Sequence, residues 1–184
     1  MLVIGLDIST SITAYSIMDT DKPLGSRLLE SDRIIINKIK DPYAKACEVR
    51  NRFLTIRKNF NIEKIVVEES LQSFRAGLSS AKTLSSLTRF NGIVSFLAQD
   101  IFECECLRFN VNSARSKLGI KINRKSDITS KEQVRDWVMS QADFKDYIWP
   151  TKTLKSGPRK GLTIYDDSCL DIADSAIMAL HFMN

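Results

Sequence analysis

The chain has 184 residues, 43% of them hydrophobic and 27% charged, with a formal net charge of +5. That length suits one ordinary domain, residues 1–184, and no apolar run approaches the roughly 18 residues that span a bilayer, which argues against a membrane protein. The basic balance fits a polyanionic partner such as nucleic acid without identifying one.

The chain opens directly on a strand. No basic region, apolar segment and cleavage site stand in series, so no secretory leader is expected. The four cysteines, Cys47, Cys104, Cys106 and Cys169, lack the spacing of a zinc ribbon and read as reduced core thiols of a cytoplasmic protein. Met1 to Thr10 is an apolar run with one carboxylate, Asp7, in its middle. A charge in a core strand costs several kcal/mol unless a cation, a partner or hydrogen bonds compensate it. Ile12–Met18 and Leu28–Asn37 follow through short turns, which predicts an antiparallel meander of three strands. Asp41-Pro42 then opens a helix whose buried face carries Ala46, Val49, Phe53 and Ile56, ending near Asn59.

Ile62 to Ser70 sets the β-branched run Ile65-Val66-Val67 before the acids Glu68 and Glu69. This predicts a strand buried on both faces, and the helical crossover before it makes it parallel to the first strand. Parallel neighbours end on the same side of a sheet, which brings Glu68 or Glu69 towards Asp7. A loop to about Leu78 holds Phe74-Arg75, and a helix over 79–100 presents the small residues Ser79, Ser80, Ala81, Ser85 and Ser86 for close packing on another helix. Phe102–Phe109 predicts a fifth strand. Val111–Leu118 and Ser130–Met139 predict helices, joined by a basic connector that ends at Arg124-Lys125. Lys145–Gly161 is rich in basic residues, Arg159 and Lys160 among them, contains Pro150 and Pro158, and predicts a long loop. The closing helix starts near Asp166 or Asp167, either of which can act as N-cap.

On that last helix Asp171 and Asp174 are three apart, so they share a face with Cβ atoms about 5–6 Å from each other. Together with Asp7 and Glu68 they would set four carboxylates around one point. Such a cluster is repulsive unless hard divalent cations, Mg²⁺ or Mn²⁺, satisfy it through oxygen ligation. Two such ions would bind the attacking and leaving oxygens of a phosphodiester. No catalytic histidine is then needed, and the single His181 reads as structural.

The order of strands, helices and acids describes an α/β protein of ribonuclease H-like fold, with a five-stranded mixed sheet flanked by helices. Over nearly its full length the sequence resembles the RuvC family of Holliday-junction resolvases. Ile4-Gly-Leu-Asp7 with Thr13-Ala-Tyr15 is similar to that family's first-strand motif, and Ile65-Val-Val-Glu68 to its second acidic motif. Ser130-Lys-Glu-Gln-Val134 is similar to its lysine-bearing helix start, and Asp171-Ile-Ala-Asp174-Ser-Ala176 to its paired aspartates. The resemblance implies a metal-dependent endonuclease that resolves four-way junctions in branched DNA by paired nicks from a homodimer. It implies Asp7, Glu68, Asp171 and Asp174 as metal ligands for two Mg²⁺ or Mn²⁺ ions, with Glu69 a rival to Glu68. Lys131 becomes the catalytic lysine at the phosphate, and Arg115 stands where the family has another lysine. Phe74 is the candidate wedge at the junction centre, and Arg75, Lys125, Arg159 and Lys160 are further DNA contacts. Ile8-Ser9 replaces the family's Pro-Gly, and Ala14 and Ser16 replace its glycines, which marks a divergent branch, viral or organellar. A viral member would work in the host cytoplasm. The alternatives are a broader flap, fork or structured-RNA nuclease of the same fold, and a non-catalytic nucleic-acid-binding relative. A sugar-kinase or actin-like ATPase fits poorly, because Asp7-Ile-Ser-Thr-Ser11 lacks glycine and the chain is short for two lobes.

Overall fold

The computed structural model describes residues 1–69 and 81–184. Its centre is a five-stranded sheet in the order β3-β2-β1-β4-β5, formed by β1 (Leu2–Ile8), β2 (Ile12–Asp19), β3 (Leu28–Ile35), β4 (Lys64–Glu68) and β5 (Cys106–Phe109). The first three strands are antiparallel and the last two run parallel to β1, with Leu6 beside Val67. Between β3 and β4 lies α1 (Pro42–Asn59), capped where the Asp41 carboxylate accepts the Ala44 amide at 2.7 Å. Helix α2 (Ala81–Phe102) follows β4. Helices α3 (Val111–Lys117), α4 (Ser130–Met139) and α5 (Ser168–Met183) complete the other layer.

The pleat separates two cores. Ile4, Leu6, Ile65 and Val67 face α1 and α2, where Phe53 and Phe102 pack at 5.4 Å between centroids. Val3 and Val66 face the opposite way, onto Ala173, Ala176, Ile177 and Leu180 of α5. Helix α5 lies so close to β1 that a Cβ on Gly5 would come within 2.2 Å of the Ser175 carbonyl oxygen. Ser16 of β2 meets the Ser175 hydroxyl at 2.9 Å and the Ser31 hydroxyl at 2.7 Å, so this seam carries a buried polar thread as well.

Three expectations are corrected. The strand expected from Phe102 starts at Cys106, because the apolar face of α2 continues through Ile101 and Phe102 before the chain turns at Glu103, which has a positive φ of 55°. The loop expected over 145–161 is partly built. A two-stranded hairpin pairs β6 (Thr151–Thr153) with β7 (Thr163–Tyr165), and Phe144, Tyr147 and Trp149 pack against one another at its base. The four cysteines are free as expected, with Cys169 buried and Cys104 and Cys106 half-buried against the core, but Cys47 is exposed because it falls on the outward side of α1. The N-cap Asp167 makes no side-chain cap bond, and the neighbouring Asp166 carboxylate accepts the Ser168 amide instead. Among the described residues no helix is long and apolar enough to cross a membrane.

Candidate active site

Alternation along β1 puts Asp7 on the face of Val3 and Gly5, under α5. On β4 the same alternation settles which acid shares that face. Glu68 lies with Val66, whereas Glu69 has the parity of Ile65 and Val67 and is exposed, its amide donating to the Phe109 carbonyl at 2.9 Å. Asp171 and Asp174 descend from the first two turns of α5, which Gly5 allows to sit directly on the strand ends.

The charges respond to one another. Burial pushes the Asp7 carboxyl well above the usual carboxylate range, and Asp174, Glu68 and Asp171 raise it further against the pull of Lys131. Burial also raises Glu68, and Asp174 adds to the shift while Arg115 and Lys131 oppose it. Asp171 is raised by burial as well, with Lys131 lowering it and Asp174 raising it. The sheet and α5 thus bring the four acids within electrostatic reach.

Two cations stand among them. The Asn110 side chain caps α3, whose Ala114 anchors in the core, so that the next residue, Arg115, sends Nη2 to within 2.6 Å of Asp174 Oδ1. A capping box between Thr129 and Glu132 starts α4, with Val134 and Val138 buried. Its first turn places Lys131 Nζ at 3.6 Å from Asp174 Oδ2. Burial lowers the Lys131 pKa, but Asp174, Asp7 and Asp171 outweigh it and hold the ammonium above its ordinary value.

The four-acid cage expected from the sequence is therefore not closed. Among the described residues no three His, Cys, Asp or Glu side chains gather closely enough to hold an ion, and Asp174 pairs instead with Arg115 and Lys131. The donor set nevertheless fits a hard divalent cation. Its candidate ligand atoms are all carboxylate oxygens, and three of the carboxyls have pKa values raised first by burial and then by neighbouring acids, both of which a bound cation would offset.

The other expected contacts are more scattered. Phe74 and Arg75 lie outside the described residues. Lys125 and Lys160 are exposed and form no ion pair among the described residues, while Arg159 comes from the hairpin loop to line a groove shared with Asp166, Asp167 and Leu170. His181 is buried edge-on against Phe109 at 4.5 Å, and burial lowers its pKa, in keeping with a structural residue. Sequence reasoning missed the packing role of Gly5 and the pairing of Arg135 with Tyr165, whose ring centroid lies 5.2 Å from the guanidinium carbon.

Sheet order and the acidic helix laid across it define an α/β protein of ribonuclease H-like fold. Within that class the chain is similar to the Holliday-junction resolvases. Thermus thermophilus RuvC in complex with Holliday junction substrate aligns over 98% of this chain and 92% of that one, with a TM-score of 0.67 at 16% identity. The yeast mitochondrial Holliday junction resolvase aligns over 98% of this chain and 77% of that one, with a TM-score of 0.59 at 17% identity. Fowlpox virus resolvase with its Holliday junction DNA aligns over 100% and 97%, with a TM-score of 0.50 at 16% identity. No protein-family model matches the sequence, and no curated protein matches it significantly. The chain has the fold of the RuvC-type resolvases at a sequence distance that makes it divergent.

Proposed function

We propose that residues 1–184 form one nuclease domain that cuts four-way DNA junctions by metal-dependent hydrolysis of phosphodiester bonds, acting as a homodimer. The observation that carries this reading is that Asp7, Glu68, Asp171 and Asp174 come within electrostatic reach of one another at the strand ends of a fold whose solved examples include resolvases bound to Holliday junctions. Those four residues would hold two Mg²⁺ or Mn²⁺ ions, which supply an activated water and charge neutralisation at the phosphate.

Lys131 stays protonated at neutral pH and its side chain is 55% exposed, so it can leave Asp174 for a phosphate oxygen of the bound strand. Arg115, with a side chain only 16% exposed, is held closer to Asp174 and positions that carboxylate. Burial disfavours the ionised form of these carboxyls, and a bound cation would favour it. Exposed Lys125, Arg159 and Lys160 fit contacts to the sugar–phosphate backbone. The dimer would form through the outer face of α2, where Phe96 is 66% exposed and Gly92 has open space above it.

The test is cleavage of a synthetic four-way junction with Mg²⁺, beside fork, flap, duplex and structured-RNA substrates, by the wild type and Asp7→Asn. Junction cleavage that vanishes in the variant supports the reading. Equal activity of the variant ends it, and preference for another substrate replaces the junction with that substrate.

A further inference from the structure

Beside the carboxylates lies a groove of about 450 Å³ between the start of α4 and the β6–β7 hairpin. One end of it is Leu170, the residue before Asp171, and the opposite wall includes Thr129, two residues before Lys131. The groove therefore borders the two helix starts that carry the acids and Lys131.

The lining has the chemistry of a base pocket more than of a phosphate pocket. Tyr165 is 46% exposed, and Arg135 braces its ring while itself fixed by Asp136 at 2.7 Å. A braced, half-exposed aromatic ring is a stacking surface for any nucleobase. Around it stand three carboxylates, Glu132, Asp166 and Asp167, beside the guanidinium groups of Arg135 and Arg159. Glu132 uses Oε2 to receive both the amide and hydroxyl of Thr129, and Oε1 accepts no hydrogen bond among the described residues. Asp166 turns one oxygen to Ser168, and Asp167 pairs with Lys152, which ties the hairpin to α5. Carboxylates repel a phosphate but accept hydrogen bonds from the exocyclic amines of adenine, cytosine and guanine, a group that thymine lacks. Arg159, at the rim, is left for the backbone of the entering nucleotide.

We propose that this groove receives one unstacked DNA base next to the cleaved bond, stacks it on Tyr165, and prefers an amine-bearing base over thymine through Glu132. The proposal rests on the nuclease reading and adds a specificity site to it. Bases near a junction's exchange point are the ones most easily unstacked, which lowers the cost of entry.

The test uses the full chain. Asp7→Asn is mixed with four-way junctions carrying 2-aminopurine at each position flanking the cut. Binding should change the emission at one position, and Tyr165→Leu in the same background should abolish that change while Tyr165→Phe keeps it. In the active enzyme, Tyr165→Leu should cut the preferred site about tenfold more slowly, the size of one lost base stack. Glu132→Gln, which keeps the helix cap, should relax the discrimination against thymine. Unchanged emission and an unchanged distribution of cuts in Tyr165→Leu overturn the groove while leaving the nuclease reading intact. A wild type that cuts no branched DNA overturns both.

Discussion

Arg115 Nη2 lies 2.6 Å from Asp174 Oδ1, in a pair where the aspartate side chain is only 6% exposed. A guanidinium so placed satisfies the carboxylate as a metal would, and the two must compete. Arg115→Met should let the free protein bind Mn²⁺ several-fold more tightly by calorimetry, because Asp174 is then left, among the described residues, with Lys131 at 3.6 Å as its ion-pair partner. Junction cleavage should nevertheless fall by about tenfold or more, since a positively charged group is lost beside the phosphate. Stability should drop by about 1–3 kcal/mol in denaturant titration, the cost of a buried acid short of one partner. Mn²⁺ affinity equal to or below that of the wild type would remove the competition.

Gly5 sets the distance between β1 and α5. A Cβ there would lie 2.2 Å from the Ser175 carbonyl oxygen and 2.6 Å from the Ala179 amide nitrogen, and both are backbone atoms of a buried helix. Gly5→Ala must displace α5, and with it Asp171 and Asp174, relative to Asp7. The expected cost is about 3 kcal/mol or more, at the upper end for overpacking. At this chain length that lowers the melting temperature by about 6–12 °C. Cleavage should fall further than stability alone explains. A variant that melts within a degree of the wild type would show that the helix can shift freely.

Much of this arrangement was legible in the residues themselves. The β-branched run before Glu68 and the crossover after α1 correctly fix β4 as parallel to β1, since a doubly buried strand and a right-handed connection leave few alternatives. Period-2 alternation picks Glu68 over Glu69 once the faces of Val66 and Val67 are known. The hairpin was hidden because its strands are three residues each and alternate exposed with half-buried positions, so neither carries a hydrophobic run. Phe102 misled in the other direction. It reads as the first residue of a strand, yet it closes the apolar stripe of α2. The meeting of Arg135 with Tyr165 joins a helix to a hairpin 30 residues on, and no local spacing signals such a contact.

The exposed stripe of α2 supplies the prediction for assembly. Phe96 is 66% exposed, and Ser85, Arg89 and Gly92 lie along the same side of the helix, with Gly92 leaving room for a neighbouring backbone. Phe96→Glu adds a charge at the centre of the proposed contact. Light scattering should report a monomer for the variant and a dimer for the wild type. Junctions should then receive single, uncoupled nicks in place of paired ones. A variant that remains dimeric places the interface elsewhere.

The pH dependence of stability should have two limbs of opposite cause. Asp7, Glu68 and Asp171 are raised in the folded protein, so they favour the fold when protonated. Their contribution is complete below the ordinary carboxylate range and is lost as pH rises through their raised values. Asp143 behaves in reverse. Burial would raise it, but bonds from Arg27 and from the amides of Arg27 and Gly25 outweigh burial and hold it low. Its contribution is complete above the ordinary range and is lost as pH falls through the lowered value. Melting temperatures from about pH 4 to 8 in a chelator should therefore peak on the acid side of neutrality. Asp7→Asn should raise the neutral limb, and Mn²⁺ should do the same for the wild type but much less for the variant. Asp143→Ala should flatten the acid limb and cost about 3 kcal/mol at neutral pH, because Arg27 is left with its charge partly buried. If Asp7→Asn melts at the wild-type temperature throughout that range, Asp7 is not crowded by the other acids and the cluster has no need of a cation.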